Sequence, residues 1–254
     1  LGNISSFSPH AQQYLFARNF NAFHMLCIVE HKKKSYVDFK STVFRQSGRS
    51  VIFNPAEQTE GGGAHGGEAI LYHPFLKVSK IENVIIENIL NHVQYTLRFA
   101  ACIIRLKSLS LLLIIVYLHD SEGLSERNNG IIKQIYILTQ HFKLPFIIMG
   151  DFNIHKDKLK ESCWLAELDV VIFAPDAPSS LKTSAHSLID YALVSRSLEP
   201  VTEPAEMDYA TPWGPHYGMG LSIKNQPLVI TSQVICKPKP LPLVEFTPIW
   251  DSLN

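Results

Sequence analysis

The sequence predicts an α/β protein in which two mainly antiparallel or mixed β-sheets pack face to face, with helices on the outside. Three observations lead there. About ten short runs are apolar and bounded by glycine, proline or polar breakers, which reads as strands. Several are separated by no more than a turn and pair as hairpins, which a doubly wound parallel sheet does not contain. Few stretches carry the spacing of an amphipathic helix. With 46% hydrophobic and 18% charged residues among 254, the chain has enough apolar surface for a packed core and is not generally disordered. The division read from it is one domain over residues 1–225, followed by a proline-rich tail or linker over 226–254 that contains KPKPLP.

Taken in order, Ser8 caps a helix that runs to Phe23. Pro9 lies in its first turn, and Tyr14, Leu15, Phe20 and Phe23 form its apolar face. Met25–Val29 is a buried strand ending at Glu30, and the basic run His31–Lys34 belongs on the surface. Ser50–Phe53 is a strand. Asn54–Gly67 is a glycine-rich loop, but not a phosphate-cradling P-loop. No Gly-Lys-Ser/Thr follows it, and the next element, Glu68–His73, is a strand rather than a helix. Val84–Leu90 and Tyr95–Arg105 read as strands. The second turns at Lys107 and Ser108 into Leu109–Leu118, giving a hairpin whose second strand is fully buried. Ser125–His141 is a helix with Ile131, Ile132, Ile135 and Leu138 at helical spacing. Lys156–Leu168 reads as helical, Val170–Phe173 and Leu188–Ser195 as strands, and Gly218–Ile223 as the last strand.

The stretch around which the rest is organised is Leu144–Asn153, LPFIIMGDFN. Pro145 opens an apolar strand, Phe146–Met149, and Gly150 ends it and allows a sharp turn. Asp151 and Asn153 follow two apart, so in extended chain they project to one side, as groups over a phosphate and a metal would. An ordinary Asp/Asn turn at a strand end has the same pattern. Polar residues then recur at or beside apolar strands: Asn3, Glu30, Tyr117 with His119, Asp190 in SLIDYALVS, and His216 before the last strand. Their recurrence points to a shared site on one edge of the sheets. Asp190 is the most telling, because an ionised carboxylate in an apolar strand needs a partner. His31, His119, His155 and His186 read as surface or supporting groups.

Other features narrow the function. Lys+Arg and Asp+Glu both number 23, so there is no strongly basic coat for nucleic acid, although a local basic groove remains open. The four cysteines, Cys27, Cys102, Cys163 and Cys236, lack zinc or thioredoxin spacing, and the first two read as buried free thiols in a reducing, intracellular setting. Leu109–Leu118 is too short to span a bilayer as a helix, and the opening LGNISSFSP has no basic start or apolar segment of a signal peptide. The first residue is not Met, as expected of a piece of a longer chain.

Asn3, Glu30 in CIVEHKK, Tyr117 in VYLHDSEG, GDFN at 150–153, SLIDYALVS at 187–195 and His216 together resemble the endonuclease/exonuclease/phosphatase superfamily. They occur in the family's order across residues 1–223, with IDY about 35–40 residues after GDFN. NISSFSPHAQQYLFAR and WGPHYG look most like its non-LTR retrotransposon endonucleases. The resemblance implies a DNase I-like four-layer α/β sandwich and phosphodiester hydrolysis dependent on Mg²⁺, with Mn²⁺ as a substitute. It implies Glu30, Asn3 and Asp151 as metal ligands, with Asp151 also activating or orienting the attacking water. Asn153 and Tyr117 would donate to the phosphate, and His216, oriented by Asp190, would stabilise the phosphoryl oxygen or transfer a proton. DNA is the expected substrate. The expected setting is a monomer without membrane attachment, beside or fused to a reverse transcriptase, and nuclear if it is a retroelement enzyme. The chain departs from the family at Pro215, where an Asp usually precedes the His, and at Ser5, where many members are acidic. Two other readings stay open: a non-catalytic member that binds nucleic acid or protein, and a phosphoesterase acting on lipid or small phosphates.

Overall fold

The computed structural model describes residues 1–17, 22–90, 98–107, 109–181 and 187–224. The elements, in order, are β1 (Gly2–Asn3), α1 (Pro9–Leu15), β2 (Met25–Val29), α2 (Tyr36–Ser47), β3 (Ser50–Asn54), β4 (Glu57–Gln58), β5 (Ala64–His65), β6 (Glu68–Tyr72), β7 (Lys77–Lys80) and α3 (Asn83–Leu90). There follow β8 (Phe99–Arg105), β9 (Ser110–Tyr117), α4 (Glu126–Phe142), β10 (Phe146–Asp151), α5 (Lys156–Lys160), α6 (Trp164–Leu168), β11 (Val170–Phe173), β12 (Asp190–Ser195), a 3-10 turn (Arg196–Val201), β13 (Glu206–Asp208) and β14 (Gly218–Gly220). None of the described helices is long and apolar enough to cross a membrane.

Two mixed sheets form the centre, as the hairpin-rich pattern predicts. One has the order β1-β2-β6-β3 and the other β11-β12-β10-β9-β8-β7. Within them only β1/β2 and β9/β10 run parallel. Strand alternation sorts side chains into layers. Leu113 and Ile115 of β9 point into the core between the sheets, with Cys27, Ile52 and Ile70 of the smaller sheet. Leu112, Ile114 and Val116 point the other way, under α3 and α4. Phe7, Ala11, Leu15, Phe39 and Val43 cover the outer face of the smaller sheet. The result is a helix–sheet–sheet–helix sandwich, and β9 is apolar on both faces because both are covered. Cys27 and Cys102 are buried free thiols, as expected from their apolar settings.

Several elements differ from the sequence expectation. Val84–Leu90 lies in helix α3, not a strand. Ile86 and Leu90, four apart, are buried while Glu87 is exposed, and that helical spacing outweighs the strand preference of Val and Ile. Helix α1 begins at Pro9 with Ser8 Oγ accepting from Ala11 N–H, as expected, but it stops at Leu15; residues 18–21 of the expected helix lie outside the described residues. Helix α2, to which the sequence reading assigns nothing, is capped by Ser35 and closed by left-handed Gly48. Strands β7 and β13 were likewise not expected. The glycine-rich loop folds back as the β4–β5 hairpin, and the single helix expected over Lys156–Leu168 is broken into α5 and α6. Strand β14 is short and pairs only with β13, while Ile223 bridges Thr202. Gly150 does not end its strand. It lies inside β10, where a Cβ would fall 1.9 Å from Val116 O, so its role is close approach rather than turning. Residues 95–97, Ser108 and His186, and the expected tail over 226–254, lie outside the described residues.

Candidate active site

Strand register builds one half of the site. Asp151, at the end of β10, pairs with Tyr117 at the end of β9 and with Asp190 at the start of β12. Residues directly opposite each other share a face, so the three side chains form a row across adjacent strands. Phe152 and Tyr191 stack behind it at 4.3 Å, and Tyr191 Oη donates to Ile154 O. Asn153 adopts a left-handed φ of 49°, with its N–H donating to Asp151 Oδ1 at 2.9 Å. Its Nδ2 donates to Leu118 O at 2.8 Å, which ties the turn after β10 to the end of β9.

The smaller sheet supplies the other half. Asn3 pairs with Val29, so Glu30 leaves β2 at the same end of the sandwich. Asn3 Nδ2 donates to Asp151 Oδ2 at 2.8 Å across the two sheets, and Asn3 Oδ1 accepts from Ser5 N–H at 3.0 Å. His216 arrives on the loop before β14. Leu181 N–H donates to Pro215 O and Tyr217 N–H to Ser179 O, which clamps that loop. Ser179 Oγ also accepts from the N–H groups of Ile189 and Asp190. His216 Nδ1 lies 2.9 Å from Asp190 Oδ2, and its Nε2 lies 3.5 Å from Asn3 Nδ2 and 3.8 Å from Asp151 Oδ2. With the Asp190 carboxylate accepting from Nδ1–H, Nε2 is turned toward Asn3 and Asp151.

Burial makes these contacts consequential. Asp151 and Asp190 are 1% exposed and His216 4%, so each charge depends on the others. Burial, and then the charge of Asp190, hold the Asp151 carboxyl well above the usual carboxylate range. Burial alone would lower His216, but the Asp190 hydrogen bond and charge, with the charges of Asp151 and Glu30, raise it above the ordinary imidazole value. Burial, then Glu30 and Asp151, push the Tyr117 hydroxyl up, so it remains a hydrogen-bond donor.

Of the residues singled out from sequence, Asn3, Asp151, Asp190 and His216 meet directly, and Asn153 joins through its backbone. Tyr117 is buried beside Asp151 on the next strand, and Glu30 stands at the rim. The Glu30 side chain is 15% exposed and pairs with Lys32 Nζ at 3.1 Å, and its charge is felt at both His216 and Tyr117. His31 is a correction: it is fully buried rather than on the surface. His119 and His155 are half-buried. The sequence reading missed two residues. Ser179 sits in what reads as an ordinary Pro/Ser loop, and nothing local marks it. Arg98 lies with its guanidinium 5.4 Å over the Tyr117 ring and pairs with Glu57 at 3.0 Å; a charged residue heading the apolar run LRFAACIIR was the available signal.

Whether the site suits a metal can be judged from its own atoms. Asp151, Asp190 and His216 each offer a ligand atom, and these lie within 4.8 Å of one another. Asp190 Oδ1 is buried and makes no hydrogen bond with the protein. Two close buried carboxylates, one of them raised by the other, form a hard pair of oxygen donors that fits a divalent cation.

No protein family model and no curated protein sequence matches the chain. Solved structures do. The endonuclease domain of TRAS1, a telomere-specific non-LTR retrotransposon, is 17% identical with a TM-score of 0.63, covering 88% of this chain and 95% of that one. An AP endonuclease from Leishmania major is 13% identical with a TM-score of 0.66, covering 88% and 86%. A 3′ phosphatase from Neisseria, bound to a product DNA hairpin, is 14% identical with a TM-score of 0.59, covering 87% and 97%. Endonucleases, an exonuclease and a phosphatase thus share its fold over most of their length, and the chain has the DNase I-like fold of the endonuclease/exonuclease/phosphatase proteins.

Proposed function

We propose that this chain is a divalent-metal-dependent phosphodiesterase that nicks DNA, of the retroelement endonuclease type. The observation that carries the reading is the buried cluster at the ends of both sheets, in which His216 lies 2.9 Å from Asp190 and 3.8 Å from Asp151, and Asn3 donates to Asp151. A structural core has little use for two carboxylates and an imidazole without exposure, whereas hydrolysis of a phosphodiester needs such groups in fixed places. Glu30, Asn3 and Asp151 are the residues that would hold Mg²⁺, or Mn²⁺ in its place. The bound cation would neutralise charge on the phosphoryl oxygens and assist the leaving oxygen.

The remaining work falls to the chain's own groups. Asp151, with its raised carboxyl, orients the attacking water and accepts its proton. The imidazolium of His216 donates from Nε2 to the phosphoryl oxygen, and Asp190 holds it by Nδ1. Tyr117 donates its hydroxyl. Asn153 has one amide hydrogen on Leu118 O and the other left for the phosphate. The resemblance of the sequence to retroelement enzymes, and DNA in the Neisseria structure, support DNA over a lipid or small phosphate. A retroelement enzyme would act in the nucleus, as a monomer, beside a reverse transcriptase.

Plasmid nicking by the purified protein tests this. Supercoiled plasmid is expected to become open circles with Mg²⁺ or Mn²⁺ and to stay intact with a chelator. Equal cleavage in both conditions overturns the mechanism. Plasmid retarded on a gel but never cut selects the binding-module reading, and cleavage of small phosphate esters alone selects the phosphoesterase.

A further inference from the structure

Glu30 is the candidate ligand with the least obvious support. It stands at the rim, on a backbone with left-handed φ values at Glu30 (59°) and again at Lys32 (56°). Neither residue is glycine, so each conformation is held against a steric cost by its surroundings. His31 lies between them, and all its polar groups are engaged. Its N–H donates to Gly67 O and its C=O accepts from Phe7 N–H. Its Nδ1 accepts from Lys33 N–H at 3.0 Å, which places the ring proton on Nε2, 3.1 Å from Asn54 O. The ring stacks on Phe53 at 4.8 Å and 16° and meets Phe39 at 5.0 Å. At Gly67 a Cβ would fall 2.5 Å from His31 Cε1, so the chain closes tightly over the ring.

We propose that His31 is a positioning residue that locks the Glu30 carboxylate into the site. The inference rests on the reading of Glu30 as a metal ligand. His31 fastens the turn carrying Glu30 to the chain that leads from Asn3 into α1, to the end of β3 and to the start of β6. A hydrocarbon of the same size would fill the space and keep the two backbone bonds, but it would lose the ring's bonds to Asn54 O and Lys33 N–H, which fix the turn around Glu30. Residues that orient a metal ligand typically change metal affinity by about 10–100-fold when removed.

The test is Mn²⁺ binding by isothermal titration calorimetry, with folding followed by circular dichroism. Glu30→Gln is expected to lower affinity by at least about tenfold; unchanged affinity there overturns the ligand reading itself, and this inference with it. His31→Phe keeps the stack and the burial but loses both ring hydrogen bonds. It is expected to fold and to bind Mn²⁺ at least about tenfold more weakly. His31→Asn, which restores an acceptor for Lys33 N–H, is expected to regain most of that loss. Wild-type affinity in folded His31→Phe, beside a weakened Glu30→Gln, overturns the inference alone. Should His31→Phe fail to fold, His31→Gln decides. It can still donate toward Asn54 O but leaves the exposed Lys33 N–H to water; weaker binding supports the inference and wild-type affinity overturns it.

Discussion

Asp190 and His216 differ in what they can do alone. A carboxylate whose only contribution is to orient an imidazole has nothing to orient once the imidazole is gone. Asp190→Asn and His216→Ala are each expected to slow nicking by roughly 10²–10⁴-fold. The double variant should be little worse than the poorer single one. Pro215 sharpens this expectation, because it has no carboxylate to take over and its carbonyl is already committed to Leu181 N–H. Initial rates of plasmid nicking by the four proteins decide it; rate losses that multiply would mean the two residues work independently. At this scale the sequence singled out Asn3, Asp151, Asp190 and His216, which the fold brings together, yet it misjudged His31. A histidine opening a basic run looks solvated, and only the ring's partners, brought from β3 and α2, reveal that it is packed.

At the scale of elements, β10 delivers Asp151 by lying close against β9. Gly150 permits that approach. Gly150→Ala is expected to destabilise the protein by about 3 kcal/mol, since the added carbon meets a backbone oxygen that cannot swing aside. Whatever folds should nick at least about 100-fold more slowly, because Asp151 would move with the strand. Urea unfolding and the nicking rate measure the two effects. Strands with a clear apolar run, such as β2, β9 and β10, were legible to within a residue or two, because burial on both faces leaves little choice of residue type. Helix α3 was not, since a short apolar run does not reveal its period unless the exposed positions are weighed. The two-residue strands β4 and β5 carry no pattern to detect.

The whole molecule adds a charge that no single element explains. Glu68, Asn54 and Arg98 meet between the sheets beneath Tyr117, with Glu68 Oε1 buried and unbonded and Asn54 Nδ2 donating to Glu68 Oε2 at 3.4 Å. Burial outweighs the charge of Arg98 and pushes the Glu68 carboxyl from 4.5 up to about 8. Below pH 4.5 the folded and unfolded chains both keep the proton. Between 4.5 and about 8 the unfolded chain releases it while the folded chain holds it, so stability falls as pH rises through that window and then levels off. Glu68→Gln removes this dependence. It is expected to match wild type near pH 4.5 and to exceed it by a few kcal/mol at pH 8, read from unfolding midpoints along a pH series. A gain that does not grow with pH would mean that Glu68 is not the group responsible.

What the sequence determined by itself is local or periodic: the apolar strands, the cap at Ser8, the hairpin of β8 and β9, and a set of polar residues at strand ends. Such signals are carried by neighbours in the chain. The tertiary structure decided which of those residues touch. Asn3 reaches Asp151 across 148 positions and His216 reaches Asp190 across 26, and these contacts depend on how two sheets close on each other and how a loop is clamped at Ser179. It also decided that Gly150 is needed for approach and His31 for anchoring. The physical reason is the same in each case: burial and contact are properties of surfaces that meet only after folding.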